Sequence, residues 1–234
     1  MNAGLPPPLR DPAPLLQKVR REWGGKTPLW VFGYASLIWR PEFDAAEQRP
    51  ASVHGWHRSL KMTSRVNRGT PESPGLVFAL VPGGSCRGMV YRLAADSVDQ
   101  DLERLWHREM PTGVYDPKWL MCRTASGPVR ALAFTLSRRS PSFTGPIDDD
   151  AMLRILRVAS GRYGRTFDYL VETATCLRAC GIRDRSIERL VQLAKGHGLH
   201  HAHFTEPSSS AAALGLGLPP PQPLQISRPG CPDE

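Results

Sequence analysis

After Asp96 the apolar residues of this chain change their spacing, and the change limits the folds open to it. Upstream they come in short runs, 29–34, 51–62, 75–81 and 87–93, bordered by Gly, Pro or Ser as strands are. Pro82-Gly-Gly84, between two of these runs, reads as the turn of a hairpin. Downstream, Val98, Leu102, Leu105 and Trp106 recur on one face of a helix, which Pro111 ends for want of an N–H. Further strands are expected over 118–123 and 129–136. The last third is helical. Asp148-Asp-Asp150 opens a helix carrying Met152, Ile155, Leu156 and Val158; a second covers 166–180 and stops at Gly181; a third covers 184–195 and stops at Gly196. Strands first and helices grouped later predict an α+β chain, a compact mixed β-barrel with flanking helices.

Proline marks where that domain begins and ends. Of 23 prolines, five fall in the first 14 residues and seven beyond Glu206, in stretches without the periodic apolar face that offsets the entropy of ordering. The chain therefore divides into a Pro-rich N-terminal tail over 1–27 with room for a short helix at 15–23, a domain over 28–196, and a mobile tail over 197–234, rich first in His and then in Pro, Ser and Ala. No apolar stretch approaches the roughly 18–20 residues of a membrane span, and the first residues lack the basic-then-apolar order of a secretory signal. Five cysteines, an odd number with no CxxC, argue against a disulfide framework or a zinc ribbon. A cytoplasmic protein from a reducing compartment is expected. The formal charge of +8 favours anionic partners, from nucleic acid to small acidic metabolites. The arginines are spread along the chain with no nucleic-acid-binding motif, so nucleic acid is not expected among them.

Two places can carry chemistry. Gly33-Tyr-Ala-Ser-Leu-Ile-Trp39 follows the first strand, and small residues there let backbone N–H groups approach a ligand. The same segment also reads as a plain turn, with Ile38 and Trp39 filling core. Glu109 lies three, four and seven residues after Trp106, Leu105 and Leu102, so it continues the buried stripe of its helix. A carboxylate on that face must be paired, protonated or functional, and burial together with the helix C-terminus would raise its pKa. The other reading is a frayed helix end, with Glu109 in solvent or paired with Arg104 or Arg108.

Val31-Phe-Gly-Tyr-Ala-Ser-Leu-Ile-Trp39 resembles the VFGYGSLIW signature of the ChaC-like γ-glutamylcyclotransferases. The resemblance continues through Gly55-Trp-His-Arg58, Gly88-Met-Val-Tyr-Arg92, Leu105-Trp-His-Arg-Glu-Met110, Gly113-Val-Tyr115, Ala159-Ser-Gly161 and Asp168-Tyr-Leu170, and so spans about residues 30–195. It implies a γ-glutamylcyclotransferase-like fold and cleavage of glutathione to 5-oxoproline and cysteinylglycine, with no metal and no organic cofactor. It also implies that Glu109 is catalytic and that Val31, Phe32, Gly33, Tyr34, Ala35, Ser36, Leu37 and Tyr169 bind substrate. Arg58, Arg65 and Arg92 are candidates for the substrate carboxylates, and a monomer is expected. Three residues depart from the family pattern: Ala35 for glycine, Arg162 for proline, and Thr166, a helix-capping candidate, for asparagine. Alanine at 35 would be strained if φ there were positive. Other γ-glutamyl substrates, or a non-catalytic binding protein on the same fold, are the alternatives. His197, His200, His201 and His203 suit adventitious metal binding, Cys176 and Cys180 suit apolar packing, and Gly161-Arg-Tyr-Gly164 suits the entry to a helix.

Overall fold

Five strands close on themselves in the computed structural model, which describes residues 9–200. They are β1 (Trp30–Gly33), β2 (Ala45–Ser64), β3 (Gly75–Leu93), β4 (Asp116–Thr124) and β5 (Gly127–Thr135), ordered β1-β3-β2-β4-β5. β5 pairs in parallel with both β1 and β3, while the other pairs are antiparallel. The mixed barrel expected from the sequence is present.

Pro82-Gly83-Gly84 is not a hairpin turn. The runs 75–81 and 87–93 are halves of one strand, β3, which β2 accompanies from Ser64↔Gly75 to Ala45↔Leu93. Midway, Gly55 on β2 faces Gly83 and Gly84 on β3, and these three glycines have φ of +79°, +103° and +70°. An unequal residue count bends a strand pair and deepens its twist, and glycine reaches left-handed φ without a Cβ penalty. The signal for a bend was in the sequence; a bend and a turn use the same residues.

Helices cover the barrel in two groups. α3 (Val98–Glu109) and α1 (Ala13–Trp23) bury Leu102, Leu105, Trp106 and Val19 in a cluster with Val31, Leu132 and Phe134. α4 (Asp149–Val158), α5 (Thr166–Ala179) and α6 (Arg185–Gly196) bury Leu156, Phe167, Leu170 and Val191 in a second cluster with Phe32, Phe78 and Leu80. Alternation along β1 thus sends Val31 to one cluster and Phe32 to the other, which is why this short strand is apolar throughout. Asp148 caps α4 by accepting from Ala151 N–H at 2.7 Å, and Asp184 caps α6 by accepting from Ser186 and Ile187 at 3.1 and 3.2 Å.

The described part of the 1–27 segment does not trail from the barrel. Leu15, Leu16 and Trp23 pack beside buried Val19, Trp106 Nε1 donates to Pro12 O at 3.0 Å, and Arg20 pairs with Glu103 at 2.9 Å. From residue 201 onward the expected C-terminal tail lies outside the described residues, as do His201 and His203.

Arg58 on β2 joins the barrel to the last helix. Its side chain, 1% exposed, meets Asp184 at 2.7 Å and donates to Tyr34 O at 2.5 Å and Arg87 O at 3.1 Å. Arg58→Ala would leave Asp184 Oδ2 and the carbonyls of Tyr34 and Arg87 without this donor, while Asp184 Oδ1 keeps its bonds from Ser186 and Ile187. We expect a loss of about 3 kcal/mol, the lower end for breaking a buried pair. In a chain of this size that lowers the melting temperature by roughly 6–12 °C, measurable by calorimetry.

Candidate active site

The end of β1 is set by close packing. A Cβ at Gly88 of β3 would lie 2.3 Å from Gly33 O, which excludes any larger residue there, and one at Gly33 would lie 3.0 Å from the Tyr91 ring, which would have to give way by a few tenths of an ångström. The chain then turns through Tyr34 and Ala35 into the single helical turn α2 (Ser36–Trp39). Ala35 has φ −145°, outside the left-handed region, so the alanine found there carries no glycine-specific strain. Arg58 holds the carbonyl of Tyr34 from behind.

In front of this turn lies a cleft of about 390 Å³, lined by Tyr34, Ala35, Ser36 and Leu37, by residues 62–68, by His107, Arg108 and Glu109, by Thr112, Val114 and Tyr115, and by Tyr163 and Tyr169. Of the residues expected to bind substrate, Tyr34–Leu37 and Tyr169 are on its wall. Val31, Phe32 and Gly33 are not: they are the strand that carries the turn, and Val31 and Phe32 are fully buried in the two apolar clusters.

Glu109 is the last residue of α3, in line with buried Leu102, Leu105 and Trp106. Its side chain is 12% exposed and faces the cleft, with Oε1 3.0 Å from Arg108 Nε. It is therefore both paired and in the cleft, while Arg104 pairs with buried Asp101 instead. Burial raises the Glu109 pKa above the ordinary carboxylate value, Arg108 opposes that shift, and Glu42 adds to it. Arg108 also donates to Ser36 Oγ at 3.1 Å and to Arg40 O, so one guanidinium ties the end of α3 to the turn after β1.

Three buried tyrosines share the cleft with this carboxyl. Tyr34 donates to Phe134 O at 3.0 Å, Tyr115 donates to Phe78 O at 3.4 Å, and Tyr169 accepts from Phe78 N–H at 3.3 Å. Burial raises the pKa of each and the charge on Glu109 raises it further, with Tyr169 pushed up to about 12. At neutral pH all three are hydroxyls that can donate or accept hydrogen bonds but carry no charge.

The arginines sort differently from expectation. Arg65 lines the cleft. Arg58 is the buried strut already described, and Arg92 pairs with Glu47 at 3.1 Å on β2; neither is on the cleft wall. Arg68 and Arg108 are there instead. Arg68 lies 4.9 Å above the Tyr169 ring, donates to Tyr163 O at 2.5 Å and stands 3.7 Å from Glu172. Burial lowers its pKa, against the pull of Glu172 and Asp168. No local pattern marks Arg68, because its neighbours are contributed by α5 and the turn before it, 95 or more positions along the chain. Tyr115 ends Gly113-Val-Tyr115, one of the segments that carry the resemblance to the family.

Thr166 does not cap its helix. It is the first residue of α5, fully buried, and its hydroxyl donates to Arg68 O at 2.9 Å and accepts from Leu76 N–H at 3.1 Å. It thereby pins the loop between β2 and β3 that forms one cleft wall. Gly161 and Gly164 belong to a two-stranded turn that feeds α5, and Arg162 and Tyr163 N–H bond to Val66 O and Asn67 O of the same loop. Burial and its neighbour Cys180 push Cys176 up to about 11, an inert thiol. Among the described residues, no group of three or more His, Cys, Asp or Glu gathers as a metal site, and no helix is long and apolar enough to cross a membrane.

The raised pKa of Glu109 makes its charge a cost to the fold. Its folded pKa exceeds the unfolded one, so stability is greatest below the unfolded value and falls as pH rises through the folded value. Glu109→Gln removes the charge at nearly constant shape. The variant should melt above the parent at pH 7, and the gain should vanish as pH falls to about 4.3, the unfolded glutamate value. A melting series over pH 4–8 reads both arms, and a variant less stable at pH 7 would contradict the burial argument.

Residues 29–197 match the model of the ChaC-like protein family. The glutathione-specific γ-glutamylcyclotransferase of Escherichia coli K12 is 33% identical over 165 residues, 70% of this chain and 71% of that protein. The mouse glutathione-specific γ-glutamylcyclotransferase 1 is 30% identical over 199 residues, covering 81% of this chain and 88% of its own. Among solved structures, a γ-glutamylcyclotransferase specific to glutathione from yeast superposes with a TM-score of 0.67 at 22% identity, over 76% of this chain and all of that one, which establishes the likeness in fold.

Proposed function

The chain belongs to the ChaC-like family, and we propose on that footing that it is a glutathione-specific γ-glutamylcyclotransferase whose general base is Glu109. The observation that carries the assignment of the base is a desolvated carboxyl, its pKa raised, facing three tyrosines and the turn after β1 across one cleft.

The reaction is an intramolecular aminolysis. The α-amine of the γ-glutamyl group attacks its own γ-carbonyl, a five-membered lactam forms, and the amide bond to cysteine breaks. The amine is mostly an ammonium at neutral pH and has no lone pair to attack with. Glu109 takes one proton from the ammonium and, once the ring has closed, a second from the ring nitrogen, and passes both to the departing nitrogen, which leaves as an ammonium, so no net proton is gained or lost. A carboxylate with a raised pKa is a stronger base than an ordinary one. Nothing is oxidised or reduced and no group enters from outside, so the step balances without a cofactor.

The tetrahedral intermediate carries an oxyanion. The backbone N–H groups at 35–37, at the start of α2, are its candidate donors, since first-turn amides have no partner within a helix. Tyr34, Tyr115 and Tyr169 shape the cleft around the folded glutamyl chain, and holding it folded supplies the proximity term. Arg65, Arg68 and Arg108 offer positive charge to the two substrate carboxylates. With this reading go a small-molecule substrate, a monomer in the cytoplasm, and neither nucleic acid nor membrane as partner.

The test incubates the full chain with reduced glutathione and measures 5-oxoproline and cysteinylglycine. The parent should release both in equal amounts. Glu109→Gln should lose about 10²–10⁴-fold in kcat, the range of a general base, with KM changed far less. The acid limb of the parent's kcat should lie above the ordinary glutamate value, as the raised pKa requires. A folded parent that releases neither product would sink the assignment.

A further inference from the structure

The match to the family model starts at residue 29, yet residues ahead of it reach the cleft. Leu9, a residue 57% exposed, donates its N–H to Thr112 O at 2.8 Å and is part of the cleft wall beside Thr112 and Val114. Arg10 then closes over the segment that follows Glu109. Its Nε donates to Gly113 O at 2.9 Å, and its Nη2 donates to Tyr115 O and pairs with Asp116 at 2.6 Å. Gly113 has φ +61°, and a Cβ there would lie 2.3 Å from Arg10 O, so the two backbones touch. Pro12 O takes the indole proton of Trp106 on the helix that ends in Glu109.

Residues 110–115 belong to no helix or strand, so no ladder satisfies their carbonyls. A guanidinium offers several N–H donors in a fixed fork, and here it meets two of those carbonyls and the carboxylate at the start of β4. Tyr115, whose ring lies in the cleft with Tyr34 and Glu109, is on the segment so held. Packing α1 on the barrel requires none of these contacts, since Val19 and its neighbours supply that.

We propose that residues 9–12 form a strap belonging to the active site, in which Arg10 is a positioning residue acting through the Tyr115 segment and Leu9 is an apolar wall for the peptide end of the substrate. This rests on the cyclotransferase reading above.

The test uses the full chain with glutathione as substrate and compares Arg10→Ala, Arg10→Lys, Leu9→Asp and Arg20→Ala. The last is the control, for it frees α1 from Glu103 and touches nothing in the cleft. Arg10→Ala should lose about tenfold to a hundredfold in kcat, the scale on which a group displaced by about an ångström acts. Arg10→Lys, which keeps the charge but not the fork, should fall between it and the parent, and serves alone if the alanine variant does not fold. Leu9→Asp should raise KM severalfold with kcat little changed, and Arg20→Ala should turn over like the parent. Arg10 variants that match the parent per folded molecule would overturn the strap, as would losses that follow melting temperature equally at Arg10 and Arg20. A parent that folds but releases no 5-oxoproline would sink the reaction and the strap together, and is told apart because then no variant has a parent rate to fall from.

Discussion

A single buried guanidinium holds the site to the fold. Arg58 spends its donors on an acid from α6, a carbonyl from β3 and the carbonyl of Tyr34, and so fixes the end of β1 against three other elements. Burying a charge of this kind costs several kcal/mol unless partners surround it, and these do. The turn that follows is positioned by a strut behind it, while the cleft side is left open. A pair of this sort adds less to stability than a well-packed apolar side chain of the same size could. Its contribution lies in where it puts the backbone.

The cleft shows the opposite economy. Glu109 is placed where burial disfavours its charge, with only Arg108 beside it to lower the cost. A fold selected for stability alone would not put an acid on that stripe. The same desolvation raises its basicity, and neutral tyrosine hydroxyls around it supply polarity without competing charge. Arg108 serves both sides, moderating the carboxyl and bonding Ser36 on the opposite wall. The end of α3 and the turn after β1 are thus one mechanical unit, although 73 positions of sequence separate Ser36 from Glu109.

Legibility in the sequence followed the range of the interaction. The period of Leu102, Leu105 and Trp106 was enough to place Glu109 on a buried face, because i, i+3 and i+4 geometry is local. The apolar run at 29–34 and the acids that open the helix at 148–150 were readable for the same reason. Where the partner is remote, local reading failed. Arg58, Arg65, Arg68 and Arg92 are alike in sequence, and only the elements packed against each decide that one is a strut, one a surface pair and two cleft cations. Thr166 looked like a cap and is a buried bridge, since its hydroxyl finds Arg68 O and Leu76 N–H first. Ala35 carries no glycine-specific strain, since its φ is negative, and φ is not a property that the residue's type fixes.

The sequence by itself determined the α+β class, the helix faces, the family and the buried face on which Glu109 lies, because period and motif spacing are properties of neighbouring residues. Tertiary structure alone decided that 82–84 bends a strand pair instead of ending one, that residues 9–27 pack on the barrel, and which cations face the cleft. Those outcomes depend on contacts between segments tens of residues apart, and on desolvation, which exists only once the chain has closed around a group.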